Sequence, residues 1–214
     1  MSPIEDKVLA FFLQHKKQKY KKGELLIRAD DQPQGIFYLK SGTVKVYAIS
    51  KKGDELVVNL FKPKAFFPMS WAIGNTTNTH FYEAVTDLEV LRSPKQEVVE
   101  FVKSNPDVLY DLLSRVYLGI EGLLNRITYL MAGSANTRLI SEITTLAKRF
   151  GTTTATGIEI QVSEKDIASQ TGMTRETISR ELKILKSKKL VNVERNKIVI
   201  LDVEKFQDEL AEGI

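Results

Sequence analysis

The spacing of apolar residues changes character along the chain. Ile4, Val8, Phe11 and Phe12 recur at helical intervals and predict a short helix over Ile4–Leu13. The lysine-rich KKQKYKK, Lys16–Lys22, reads as a solvated lead-in to a strand. From Gly23 to Pro94 the pattern shortens to β runs: Leu25–Ile27, Ile36–Leu39, Thr43–Ile49, Leu56–Leu60 and Phe81–Leu91. Turn signals separate them, at Asp30–Pro33, Ser41-Gly42, Lys51–Asp54 and Gly74-Asn75. Many short strands between tight turns predict a small antiparallel barrel or jelly roll, which can hold a ligand or be packed full.

Helical spacing then returns. A short helix is expected over Pro94–Val102, and Pro106 suits the first turn of the next one. Within Asp107–Met131, Leu109, Leu113, Val116, Ile120, Leu123, Ile127 and Leu130 step by four and three without a break. Such a heptad stripe suits a helix packed on its own barrel or the seam of a two-stranded coil, and it is read here as a parallel homodimer seam. Gly119 and Gly122 beside it let a partner backbone approach. Ala132-Gly133-Ser134 breaks the helix and reads as a hinge. A helix over Asn136–Phe150 turns Leu139, Ile140, Ile143, Leu146 and Ala147 inward. The polar loop GTTTATG, Gly151–Gly157, and a strand over Ile158–Val162 come next.

Ser163–Val191 carries the clearest chemistry. Ile167 and Ala168 are the apolar positions of one short helix. Thr171-Gly172-Met173 is a turn in which Gly172 is free to take a positive φ. Thr174 can cap a second helix, with Thr177 at its third position, and Ile178, Leu182 and Leu185 face inward. Arg175, Glu176, Ser179, Arg180 and Lys183 are left for the outer face. A helix whose first turns offer arginines and hydroxyls can enter a DNA major groove. Leu190–Glu194 and Lys197–Leu201, on either side of Arg195-Asn196, predict a hairpin wing, so the whole is a winged helix-turn-helix. The expected class is α+β, with segments 1–106 (β-roll), 107–131 (dimerisation helix), 132–135 (hinge) and 136–214 (DNA-binding domain).

Composition narrows the chemistry. The 214 residues carry a net charge of +4, a weak pull toward polyanions. Its distribution says more: eight basic side chains face three acidic ones between Thr174 and Lys197. The absence of cysteine excludes disulfides, zinc–thiolate sites and cysteine-ligated iron–sulfur clusters. No apolar run approaches the roughly 18 residues of a membrane span. The N-terminus has its apolar residues before its lysines, the wrong order for a secretory signal, so a cytoplasmic protein is expected. A cupin-like barrel enzyme would need several histidines and a carboxylate, and only His15 and His80 exist. No nucleophile–base motif or phosphate-cradling loop is present, so no enzyme activity, metal site or cofactor is expected.

This order of parts resembles the Crp/Fnr family of bacterial transcription regulators over almost the whole chain. TRETISRELKIL resembles its recognition helix, SKKLVNVERNKIVI its wing, and IFYLKSGTVKVY its β-roll. The resemblance implies base reading by Arg175, Glu176 and Arg180, with arginine forks on guanine and the glutamate on cytosine. It implies backbone contacts from Ser163, Thr174, Thr177, Ser179 and Lys183, which set register only. Of the family's two half-site types, TGTGA and TTGAT, Arg175 with Glu176 and Arg180 matches the first, and Ser179 beside Arg180 occurs in the second. An inverted repeat of TGTGA-like half-sites is therefore expected. RNA polymerase is an implied partner, touched in relatives through loops equivalent to GTTTATG and Lys51–Glu55.

The sensor half departs from the family's pattern. Cyclic-nucleotide-binding members use a Gly-Glu pair for the ribose and an Arg-Ser pair for the phosphate. Those places fall here at Pro68-Met69 and near Asn78-Thr79, and no arginine lies between Arg28 and Arg92. Dependence on cAMP is not expected. Haem would have to draw axial ligands from Met69, His80 or the N-terminal segment. Phe67, Met69, Trp71, His80 and Phe81, with Phe66 and Tyr82 nearby, could line a pocket for an apolar effector or fill a core. The chain could equally bind no effector.

Overall fold

A computed structural model describes residues 2–211. Contacts divide the chain into two compact units, with the division between Tyr117 and Leu118.

The first unit opens with α1 (Pro3–Leu13), started by a reciprocal cap: the Ser2 hydroxyl accepts from the Glu5 amide and the Glu5 carboxylate from the Ser2 amide. Eight strands follow: β1 (Lys16–Tyr20), β2 (Leu25–Ile27), β3 (Ile36–Ser41), β4 (Val44–Ile49), β5 (Glu55–Phe61), β6 (Phe66–Phe67), β7 (Phe81–Ala84) and β8 (Leu88–Ser93), with α2 (Met69–Gly74) between β6 and β7. They form two four-stranded antiparallel sheets, β1-β8-β3-β6 and β2-β7-β4-β5. This is the expected β-roll.

Two expectations are corrected. The lysine run is itself a strand: β1 pairs with β8 from Lys16 opposite Arg92 to Tyr20 opposite Leu88. Gln18 and Tyr20 are half-buried, while the lysines point to solvent and guard a sheet edge. Phe81–Leu91 is two strands in different sheets. The chain turns at Val85–Asp87, where the Asp87 carboxylate accepts from the Lys22 amide at 3.0 Å and the Lys21 ammonium at 2.7 Å. Gly42 (φ +91°) passes so close that a Cβ would stand 2.6 Å from Leu88 Cβ and 2.7 Å from the Asp87 carbonyl oxygen.

Aromatic rings contribute much of the roll's core. Phe37, Phe67 and Tyr82 are buried with Ile27, Val44 and Val90, and the Phe61 and Phe67 rings stack at 4.7 Å. A second core joins Val8 and Phe12 of α1 to Tyr38, Phe66, Leu91 and Val98. Val98 belongs to α3 (Lys95–Ser104), which precedes the long α4 (Pro106–Ala132). Val108 and Leu112 are the α4 residues that pack on this core.

In the second unit, α5 (Ala135–Phe150) begins at Ser134, whose hydroxyl accepts from the Thr137 amide at 3.2 Å. Leu139, Ile140, Ile143 and Leu146 are buried as expected, and so is Glu142. A four-stranded sheet follows, ordered β11 (Val191–Glu194), β12 (Lys197–Ile200), β10 (Gly157–Gln161) and β9 (Thr152–Thr154). The GTTTATG segment is thus not wholly a loop, because Thr152–Thr154 pairs with Gly157–Glu159. Between β10 and β11 lie α6 (Glu164–Thr171) and α7 (Arg175–Ser187). A final helix, α8 (Val203–Ala211), packs on α5 and buries Phe206.

Candidate nucleic-acid interface

Helices α6 and α7 are fixed at their starts by side-chain caps. The Ser163 hydroxyl accepts from the Asp166 amide at 3.1 Å while the Asp166 carboxylate accepts from the Ser163 amide at 3.0 Å. Gly172 ends α6 at φ +67°, the left-handed turn expected of it. Thr174 caps α7 by accepting from the Thr177 amide at 3.2 Å. Ile178, Leu182 and Leu185 are buried, so the outer face is set by periodicity.

That face carries the expected set. The Arg175 and Arg180 side chains are 72% and 66% exposed. Arg175 Nε stands 3.6 Å from a Glu164 carboxylate oxygen, which links the first turns of α6 and α7. Glu176 is exposed, and its carboxyl is held below the ordinary range, first by its own amide, then by the Thr174 hydroxyl and the Arg175 charge. Lys183 is exposed, and Thr177 and Ser179 are half-buried. The Ser163 hydroxyl is engaged with Asp166, so a phosphate would have to share it. The wing closes on Asn196 (φ +58°), whose carbonyl accepts from the Val162 amide at 3.0 Å and ties the wing tip to the start of α6. Lys197 is drawn to Glu194 at 2.9 Å and Glu159 at 3.4 Å, while Arg195 is exposed at the tip.

Two buried acids escaped the sequence reading. Glu181 is nearly covered and accepts from Arg180 Nε at 3.4 Å; its step of three from Ile178 already put it on the inner face. Glu142 stands 3.5 Å from Arg126 Nε. Burial pushes its carboxyl up, against the opposing charges of Arg126 and Arg149.

On α4 most of the stripe is left uncovered by the rest of the chain. Leu109, Leu113, Val116, Ile120, Leu123 and Ile127 are 43–52% exposed, and Leu130 is half-buried.

The five residues considered for an effector pocket are not brought together. Phe67 lies in the stacked aromatic core, and Met69 and Trp71 pack against the other core. Phe81 stacks on Tyr47 at 5.2 Å. His80 Nδ1 stands 3.2 Å from the Thr79 hydroxyl. Where the resemblance implies a phosphate-binding arginine, Asn78 is buried and gives its amide hydrogens to the carbonyls of Arg28 (2.8 Å) and His80 (3.0 Å). Pro68-Met69 supplies no carboxylate for a ribose, so these residues do not fit a cyclic nucleotide in that mode. No helix among the described residues is long and apolar enough to cross a membrane.

Comparison with known proteins agrees with this geometry. Residues 17–105 match the cyclic nucleotide-binding domain model and residues 137–209 the Crp-like helix-turn-helix domain model. The chain is 28% identical over 191 residues to the global nitrogen regulator of Nostoc sp., covering 86% of this chain and 84% of that one. It is 23% identical over 202 residues to the cAMP-activated global transcriptional regulator CRP of Pasteurella multocida, covering 93% and 97%. Among solved structures it is similar to a CRP/FNR-family transcriptional regulator from Thermus thermophilus, with a TM-score of 0.76, 20% identity and coverage of 92% and 98%. These relatives are regulators rather than enzymes. With both domain types in the same order and relatives matched along nearly their whole length, the chain belongs to the Crp/Fnr family of transcription regulators.

Proposed function

We propose that the protein acts as a homodimer on an inverted repeat of TGTGA-like half-sites, without requiring cAMP. The observation that carries this reading is the outer face of α7, where Arg175, Glu176 and Arg180 stand exposed within two turns of a capped helix start. Guanidinium forks match the O6 and N7 acceptors of guanine, and an ionised Glu176 accepts from the cytosine amino group. The apolar stripe of α4 supports pairing, because two such helices side by side remove both stripes from water. In this division of labour residues 1–106 are the sensor-type roll, 107–131 the dimer helix, 132–135 the hinge and 136–214 the reading head. Ser163, Thr174, Thr177, Ser179 and Lys183 hold phosphates, and RNA polymerase is the downstream partner in the cytoplasm. Independence from cAMP is supported by Asn78 and Pro68-Met69 standing where a phosphate fork and a ribose carboxylate would be needed.

The test is a gel shift on TGTGA-type and TTGAT-type palindromes at fixed, stated salt, since phosphate contacts make affinity steeply salt-dependent. Preferential binding to the TGTGA palindrome without cAMP is expected. Equal binding to both and to scrambled DNA, or binding only with cAMP, contradicts the reading.

A further inference from the structure

Arg126 lies on α4 among the seam residues Leu123, Ile127 and Leu130, at a position flanking the stripe. Flanking charges in a two-stranded coil ordinarily reach across to the partner helix. Arg126 turns instead onto its own protomer. Its Nε stands 3.5 Å from Glu142 on α5, and its Nη2 donates to the backbone carbonyl of Gln170 near the end of α6. Glu142 is 7% exposed and Arg126 25%, so little water competes for either. The last carbonyls of a helix have no partner within it, and a cation there meets the negative end of the helix dipole. Gln170 is itself buried, with its side-chain amide on the Asp166 carbonyl at 3.1 Å. Four residues beyond it, after the Gly172 turn, Thr174 starts α7. One guanidinium therefore touches both α5 and the end of the helix that launches the reading helix, from the same turn of α4 that carries the seam.

We infer that Arg126, seated on Glu142 and the Gln170 carbonyl, is a positioning residue that fixes the angle of the helix-turn-helix to the dimer seam and so sets which half-site spacing the dimer accepts. The inference rests on the proposed reading of the chain as a DNA-binding homodimer. Arg126 itself reads no base. Its loss leaves each α7 able to recognise its half-site but frees the distance between the two copies.

The chain has no native cysteine, so a single exposed Lys186→Cys near the end of α7 takes one spin label per protomer in the full-length protein. Pulsed electron paramagnetic resonance then measures the distance between labels. In parallel, binding is measured to palindromes whose central spacer is shortened or lengthened by one and two base pairs. The arginine form is expected to give one narrow distance and a sharp spacing optimum. Arg126→Met is expected to broaden the distances and reduce the preference for the optimal spacer roughly tenfold, with discrimination at guanines within the half-site unchanged. Arg126→Lys, which keeps the charge without the fork, should fall between. Should Arg126→Met fail to fold, Glu142→Gln, nearly the same in size, is expected to broaden both profiles as well. Folded variants with the unaltered distance distribution and spacing optimum overturn the inference. So does a loss of affinity at all spacings that merely follows a lowered melting temperature, since that is a structural role alone. If the arginine form is itself monomeric or indifferent to every palindrome, the parent reading fails, and this is distinguishable from a dimer whose spacing ignores Arg126.

Discussion

At the scale of single residues, the reading face divides labour between exposed charges and capped backbone. Arg180 is mostly in solvent, so its removal should leave the helix standing while deleting the proposed guanine contact. Arg180→Ala should cost roughly 1–3 kcal/mol on the cognate palindrome and much less on a palindrome with that guanine replaced, as measured by competition binding. Glu176 supplies a second expectation. Its carboxyl is held below the usual value, so it stays ionised to a lower pH than an ordinary glutamate. Preference for cytosine at its position should therefore be flat from pH 8 to about pH 5 at constant salt. A loss of preference across that interval would exclude Glu176 as the acceptor. These residues were legible because their neighbours were. Ile178, Leu182 and Leu185 define the inner face, and Arg175, Glu176, Arg180 and Lys183 fall outside it. Glu181 was overlooked because a charged residue is ordinarily assigned to the surface, although its spacing already placed it inside.

At the scale of elements, tight approaches and ion pairs specify the roll. Gly42 takes φ +91° against Leu88 and Asp87, a conformation costly for any side chain. Gly42→Ala should lower stability by roughly 1–3 kcal/mol in urea unfolding, and an unchanged midpoint would deny the crowding. Glu89 joins β8 to both neighbouring strands through Lys17 and Lys40, each at 2.8 Å, and those two ammonium groups pull its carboxyl down to about 2. A lowered carboxylate stabilises the fold above its unfolded value of 4.5, and that contribution is lost as pH falls from 4.5 toward 2. Glu89→Gln should flatten the acid side of the stability profile in that window, read by melting temperature against pH. The strands were legible where apolar runs met turn residues, as in Ile36–Ser41 and Val44–Ile49. β1 was not, because its lysines suit a charged sheet edge as well as a solvated loop, and only pairing with β8 decides between them. The division of Phe81–Leu91 was hidden because Val85 continues the apolar run through a turn made by Asp87 and Gly42. β9 and α8 were missed for a similar reason. Three threonines carry no apolar alternation, and α8 contributes a single buried ring, Phe206.

At the scale of the molecule, a roll with an aromatic core is followed by a long helix with an exposed apolar stripe and then by a winged helix-turn-helix. The heptad pattern disclosed that stripe in the sequence. It could not disclose that Val108 and Leu112, rather than the stripe, pack on the roll, because both sets have helical spacing. The stripe's exposure is what supports the proposed pairing of two α4 helices. Ile120→Asp, at the middle of the seam, should convert the protein to monomer by analytical ultracentrifugation and abolish preference for a palindrome over a single half-site, while the two units keep their helical circular dichroism. The central claim is that two copies, joined along α4, present two α7 helices to one duplex. Its most direct test is selection of bound duplexes from a random pool by the purified protein with no small molecule added. The account predicts enrichment of two inverted TGTGA-like elements with centres about one helical turn, roughly 34 Å, apart. Recovery of isolated single elements, or of no common sequence, would contradict it.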